Sequence, residues 1–226
     1  MYGHNFLSHD EGQVMAQAEI NFEYGSLLVF AAENNYLGLL RYVLDLWHVV
    51  RVDMNYWYHL GFVLELATGK GFDRIANEIL LFSSNVILPV ADSFQPWDDQ
   101  VVRPFYQALK NSLLDACKRN QLSVVKNILG FMEVRFRQTL SETAKDVWRN
   151  HLAMALSVAG SHGRIDIGNA IIKSDQIPLN FAFDVAQVRV EVFYPGSLCF
   201  VAAMYGFDEG AEYLIESFGS EDALAR

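Results

Sequence analysis

The sequence predicts an all-α protein, a stack of about five helix–turn–helix units with short extended fingers between them. Three observations predict it. An alanine recurs at Ala31, Ala67, Ala116, Ala159 and Ala202. Four positions after each stands a turn former: Asn35, Gly71, Asn120, Gly163 and Gly206. Eight and nine positions after each turn former comes an aliphatic pair: Val43/Leu44, Ile79/Leu80, Ile128/Leu129, Ile171/Ile172 and Leu214/Ile215. A repeat of this length dictates architecture before any local motif does.

Each part of the unit has a physical reason. Glycine and asparagine tolerate the positive φ on which helices commonly end. The alanine lies near the end of the first helix, where a small side chain lets a neighbouring backbone approach. In the second helix an earlier pair sits four residues before the aliphatic pair, so both share one face. These earlier pairs are Leu39/Leu40, Ile75/Ala76, Val124/Val125, Ile167/Gly168 and the weaker Gly210/Ala211.

The two best-preserved copies are Gly25-Ser-Leu-Leu-Val-Phe-Ala-Ala-Glu-Asn-Asn35 and Gly196-Ser-Leu-Cys-Phe-Val-Ala-Ala-Met-Tyr-Gly206. His162-Gly163 and Gly71-Phe72 keep the turn. This pattern resembles the ankyrin repeat over residues 25–218, with that family's Thr-Pro-Leu-His segment degraded in every copy. The resemblance implies hairpin-like fingers between units and a concave binding surface. The alanines are 36, 49, 43 and 43 residues apart, longer than the family's period of about 33. A HEAT-like or tetratricopeptide-like stack is the structural alternative.

No Ser/Gly tract or charge block reads as a linker, so one repeat domain is expected over 26–218. Residues 1–25 would be an N-terminal capping segment, where Ser8-x-x-Glu11 has a capping-box pattern ahead of Val14, Met15 and Ala18. Residues 219–226 would be a polar tail. With 52% apolar and 19% charged residues the 226-residue chain can build a large core. The formal net charge is −10. Lysines and arginines are not clustered, so nucleic acid and anionic membranes are disfavoured and a basic protein partner is permitted. Cys117 and Cys199 are the two cysteines, with no CxxC spacing, so neither a disulfide framework nor a zinc site is expected. No basic start followed by an apolar stretch suggests a signal peptide, and no apolar run suggests a membrane span. A cytoplasmic or otherwise intracellular monomer is the expectation.

Between units the chain reads as extended at Val49–Asp53, Val86–Ala91, Val134–Arg137 and Gln187–Phe193. The longest connection, Ser83–Arg103, gathers Phe94, Trp97, Asp98 and Asp99. Two first helices are expected to be long. Pro104 suits an early helical position ahead of Phe105, Leu109, Leu113 and Ala116. Thr139-x-x-Glu142 is a capping-box start before Val147, Trp148, Leu152 and Leu156.

Catalytic motifs fare poorly. Ala67-Thr-Gly-Lys-Gly71 lacks the first glycine and the Ser/Thr of a phosphate loop, and the repeat explains it as a turn. The six histidines form no HExxH pattern. Cys117 with His151 suggests a nucleophile and base, but its place beside Ala116 makes it a buried small residue. Ser123-x-x-Lys126 has a serine–lysine spacing on what should be a solvated face. His162 belongs to a turn, and Trp148 to an apolar helical stripe.

Binding is therefore the expected function: a non-catalytic protein-interaction module or adaptor, without cofactor or metal. Trp57, Phe94, Trp97, Asp98 and Asp99 are its candidate partner contacts, because aromatic side chains dominate binding hot spots and acids steer a basic partner. A narrower expectation is a microbial effector engaging a host protein. The competing class is an enzyme or small-molecule binder with a pocket under the 83–103 insertion.

Overall fold

The computed structural model describes residues 25–49, 54–90, 103–138, 142–174, 176–177 and 197–224. Every regular element among them is helical. In chain order these are α1 (25–33), α2 (Leu37–Val49), α3 (Met54–Lys70), α4 (Asp73–Val90), α5 (Arg103–Arg119), α6 (Leu122–Gln138), α7 (Glu142–Ser161), α8 (Ile165–Ile172), α9 (Ser197–Tyr205) and α10 (Asp208–Leu224).

The five sequence copies become five helix pairs joined by one kind of turn. Each turn former has positive φ: Asn35 56°, Gly71 78°, Asn120 62°, Gly163 64° and Gly206 69°. The next residue donates its N–H back to the carbonyl of the repeat alanine. These bonds are Tyr36 to Ala31, Phe72 to Ala67, Arg164 to Ala159 and Phe207 to Ala202 at 2.8 Å, and Gln121 to Ala116 at 2.9 Å. The turn former itself donates to the residue after the alanine, at 3.0–3.4 Å. Together these two bonds are a Schellman motif, which satisfies carbonyls that a helix end would otherwise leave unpaired. The same residue that closes the first helix opens the second: Tyr36, Phe72, Gln121, Arg164 and Phe207 each accept the first backbone bond of the following helix.

The pairs form two layers. In one, α3 packs on α5, α5 on α7 and α7 on α9; in the other, α2 packs on α4, α4 on α6, α6 on α8 and α8 on α10. The repeat alanines are fully buried between them. Four of the five aliphatic pairs are buried in full, as the register requires. The fifth splits: Leu214 is 1% exposed and Ile215 is 67% exposed. Ile215 lies where Leu44, Leu80, Leu129 and Ile172 meet the next unit, and among the described residues no later helix covers α10. Gly210 in the weak fifth copy also has a packing reason, since a Cβ there would stand 2.7 Å from Ile172 Cδ1.

Several expected fingers are helical instead. Val86–Val90 completes α4 and Val134–Arg137 belongs to α6, while Val49 is the last residue of α2 and 50–53 and 91 lie outside the described residues. Short apolar runs satisfy strand and helix patterns alike, and here the backbone of the preceding helix continues through them. Ser83, taken as the start of a long connection, is likewise inside α4, with its hydroxyl donating to the Ile79 carbonyl at 2.7 Å. Gln187–Phe193 lies outside the described residues, as does the 1–24 part of the expected cap with its Ser8/Glu11 capping box, and Thr139. The long first helices are as expected, with Pro104 in the first turn of α5. α10 runs to Leu224, past the boundary expected at 218.

Two stability outcomes follow from this geometry. Ile128 is fully buried, so Ile128→Ala should cost about 2–5 kcal/mol in chemical denaturation, from lost transfer energy and a cavity. At the turns, Gly163→Val and Gly206→Val should each cost about 1–3 kcal/mol, because a β-branched residue is strained at positive φ. Gly163→Asn should be much milder, since asparagine occupies the same conformation at Asn35 and Asn120. Equal effects of Val and Asn would contradict the strain account.

Candidate functional site

Trp57, proposed from sequence as a partner contact, belongs to the core. It is 6% exposed, and its ring lies 5.7 Å from that of Phe105 across the α3–α5 contact. Phe105 in turn meets Phe131 at 5.9 Å. Trp57 begins the buried stripe Trp57, Leu60, Leu64, Ala67, whose spacing of three and four residues marks one helical face. A residue so enclosed cannot anchor a partner, which corrects the sequence reading. Phe94, Trp97, Asp98 and Asp99 lie outside the described residues. Trp148 packs inward as expected, with its indole N–H donating to Gln176 Oε1 at 2.7 Å.

Among the described residues two surfaces stand out. The first is the outward face of the first helices. Phe30 on α1 is 50% exposed, and Tyr58 and Phe62, one turn apart on α3, are 59% and 46% exposed. α1 and α3 lie side by side in the same direction. Near their starts Gly25 sits against the His59 ring, and at their ends Lys70 Nζ donates to the Glu33 carbonyl at 3.2 Å. Phe30, whose ring lies 6.0 Å from that of Tyr36, and the Tyr58/Phe62 pair thus stand on neighbouring helices. Towards α5 the face turns polar: Asn111 Nδ2 donates to Glu65 Oε1 at 2.7 Å. Burial lowers the pKa of Lys110, with Arg103 adding to the effect, and burial together with the Lys110 charge lowers that of His151 on α7. Sequence reasoning passed over Phe30 and Phe62. Counting from the repeat alanine was the available signal, because Phe62 falls five residues before Ala67, where α5 carries Asn111.

The second surface is a groove of about 430 Å³ on the opposite layer, between α6 and α8 with the first turn of α10 at one end. Gly130 and Ala170 contribute to its lining, and Lys126 and Asp166 are exposed there. Asn169 also lines the groove and is 6% exposed. Its Oδ1 accepts the Gly210 N–H at 2.9 Å, so its position is fixed by the next unit. Lys173 and Glu209 close one end as an ion pair at 2.6 Å, which holds the Glu209 carboxyl below its usual range.

The chemical candidates from the sequence have structural roles. Cys117 is fully buried, and burial pushes its thiol up to about 12, so it carries no nucleophilic thiolate near neutral pH. Ser123 Oγ accepts a hydrogen bond from Asn77 Nδ2 at 3.1 Å, tying α6 to α4. His162 Nδ1 stands 2.9 Å from the Val158 carbonyl inside its turn. Among the described residues no group of three or more His, Cys, Asp or Glu could hold a metal ion, and no helix is long and apolar enough to cross a membrane.

Comparison with family models, curated proteins and solved structures finds no match for this chain.

The raised Cys117 value has a pH consequence. Its contribution to stability is complete below its ordinary value of 9.0 and is lost as pH rises from there towards about 12, because the unfolded thiol ionises first. Between pH 9 and 11 the urea midpoint of the native protein should therefore fall more steeply than that of Cys117→Ala. Parallel slopes would show that the thiol stays accessible to water.

Proposed function

We propose that this chain is an ankyrin-type repeat protein that binds a protein partner, without catalysing a reaction, through the outward face of its first helices. The observation that carries the reading is the exposed aromatic surface of Phe30, Tyr58 and Phe62 on two adjacent first helices. These rings stand on a scaffold whose five turns share one geometry. Scattered apolar side chains are ordinary on any surface, but Tyr58 and Phe62 share one face of α3 a turn apart, and exposed aromatic side chains on rigid helices suit a binding hot spot. Stacked repeats supply the extended surface around them. First helices α5 and α7 are long, 17 and 20 residues.

The partner chemistry that fits is apolar at α1 and α3 and hydrogen-bonding towards α5 and α7. The overall charge of −10 favours association with a basic protein by long-range attraction, which acts on the association rate more than on final affinity.

Affinity capture from cytosolic extract, followed by titration of the purified partner, tests this reading. Tyr58→Ser with Phe62→Ser should leave thermal stability nearly unchanged, because both rings already face solvent. It should weaken partner binding by about 30-fold or more, the equivalent of about 2 kcal/mol for a hot-spot residue. Undiminished affinity of the double variant would exclude this face.

A further inference from the structure

The terminal units of a repeat protein need polar outer faces. Here the last unit keeps the apolar face that the inner units bury. Contacts inside the stack show which positions point at the following unit. A Cβ on Gly168, five residues after its turn former, would collide with the Phe207 ring. Ile172, nine after the same turn former, lies against Gly210. Gly160, three before it, lies against the Tyr205 ring. In the last unit these positions are Ala211, Ile215 and Ala203. Ile215 and Ala203 are exposed and Ala211 is half-buried, although Leu44, Ala32 and Leu40 at the same register are buried.

The first unit is open in the complementary sense. Phe207 and Gly210, one and four residues after their turn former, point at the preceding unit, as does Tyr205, one before it. The position seven residues before Tyr205 shares its helical face. In the first unit the matching residues include Tyr36, Leu39 and Leu27. Leu27 is exposed, although Val63, Ser112, Ala155 and Leu198 at its register are buried. Tyr36 is exposed where Gln121 and Phe207 are buried, and Leu39 is half-buried where Ile75, Val124 and Ile167 are buried.

We infer that the two ends bind each other: the last unit of one chain receives the first unit of a second copy, and the stack continues across the junction in its own register. The occupant is a second copy because this chain carries the complement of its own open face, at the positions its internal junctions use. Tyr36 of the second copy seats on Ala211 as Phe207 seats on Gly168. Leu39 meets Ile215 at the register of the buried residues Ile75 and Leu44. Polar groups fit the same register. Gln121 Nε2 donates to Asp73 Oδ1 at 2.6 Å between the second and third units, and the same positions bring the Tyr36 hydroxyl to Asp208. Arg41 pairs with Glu78 between the first two units, and those positions bring the Tyr42 hydroxyl to Glu212. Such a contact is heterologous, so it propagates instead of closing as a two-fold dimer. It replaces the monomer expected from the sequence. Each copy carries a net charge of −10, so association works against repulsion and salt strengthens it. Tyr58 and Phe62 take no part, so this inference and the proposed partner surface can fail separately.

Sedimentation of the native protein from micromolar to millimolar concentration tests the inference. The weight-average mass should rise without a plateau at twice that of one chain. It should rise further when salt goes from about 0.01 M to about 1 M, which shortens the Debye length from about 30 Å to about 3 Å. Leu27→Arg blocks only the first-unit end, and Ile215→Arg only the last-unit end. Each variant alone should stay monomeric. Their equimolar mixture should form a one-to-one pair and stop there, because each supplies the end that the other lacks. Both side chains are exposed and arginine is a good helix former, so each variant in dilute solution should keep the native thermal midpoint. A native protein that stays monomeric throughout, a blocked variant that still self-associates, a mixture that stays monomeric, or association that weakens with salt would each overturn the inference. So would a lowered midpoint of either variant in dilute solution, which would mean that the same chain already covers that end.

Discussion

One backbone hydrogen bond sets the geometry of this protein: the bond from the residue after each turn former to the carbonyl of the repeat alanine, at 2.8–2.9 Å in all five copies. It ends one helix and fixes where the next begins, because the donor residue is also the first acceptor of the following helix. Two helices joined through a single shared residue have little freedom in their crossing angle. Repeating that joint five times places every first helix in one layer and every second helix in the other. The positive φ that the joint demands explains why only glycine and asparagine occupy its corner.

Cohesion between units comes mainly from the aliphatic pairs, and polar contacts set the register. Arg41 pairs with Glu78 at 2.7 Å and Lys173 with Glu209 at 2.6 Å, each linking one second helix to the next. These exposed pairs contribute little to stability on their own. Interior polar links matter more. Gln176, 2% exposed, accepts from Trp148 on α7 and donates to the Leu129 carbonyl of α6 at 2.8 Å. Removing either partner would strand a buried polar group. The last carbonyls of the first helices are also engaged across units, by Lys70 at Glu33 and Arg164 at Lys118. A cation at a helix C-terminus suits the negative end of the helix dipole.

Most of this scaffold was legible in the sequence, because it rests on steric requirements that admit few residue types. Positive φ selects Gly or Asn, close packing selects Ala, and a shared helical face selects aliphatic pairs four residues apart. What was not legible lies where one residue type serves two environments. Val86–Val90 and Val134–Arg137 satisfy strand and helix patterns equally until the preceding turns are known to be helical. Trp57 was read as a binding residue because tryptophan is common at hot spots, yet tryptophan is also a large packing residue. Its membership in the stripe with Leu60, Leu64 and Ala67 decides in favour of the core. The surfaces were harder still. Exposure of Phe62 depends on which way α3 faces its neighbours, and neither hydropathy nor spacing within α3 fixes that alone.

In a repeat protein, positions shared by all copies serve the fold, so chemical individuality resides in the departures. Both open surfaces follow this rule. Phe62 stands where α5 has Asn111, which turns one stretch of a common face from polar to aromatic. Gly130 and Ala170 stand where other copies carry larger side chains, which opens a groove at one junction. Neither departure disturbs the turn or the aliphatic pairs beside it: Ala67 and Ala116 remain fully buried, as do Ile128 and Ile171. Such tolerance has a physical origin. Stability in a stack is approximately a sum of unit and nearest-neighbour terms, so a change on an outward position of one unit reaches the others weakly. That separation lets the two surfaces carry different chemistry, aromatic on one layer and polar on the other, while the five joints between helices stay alike.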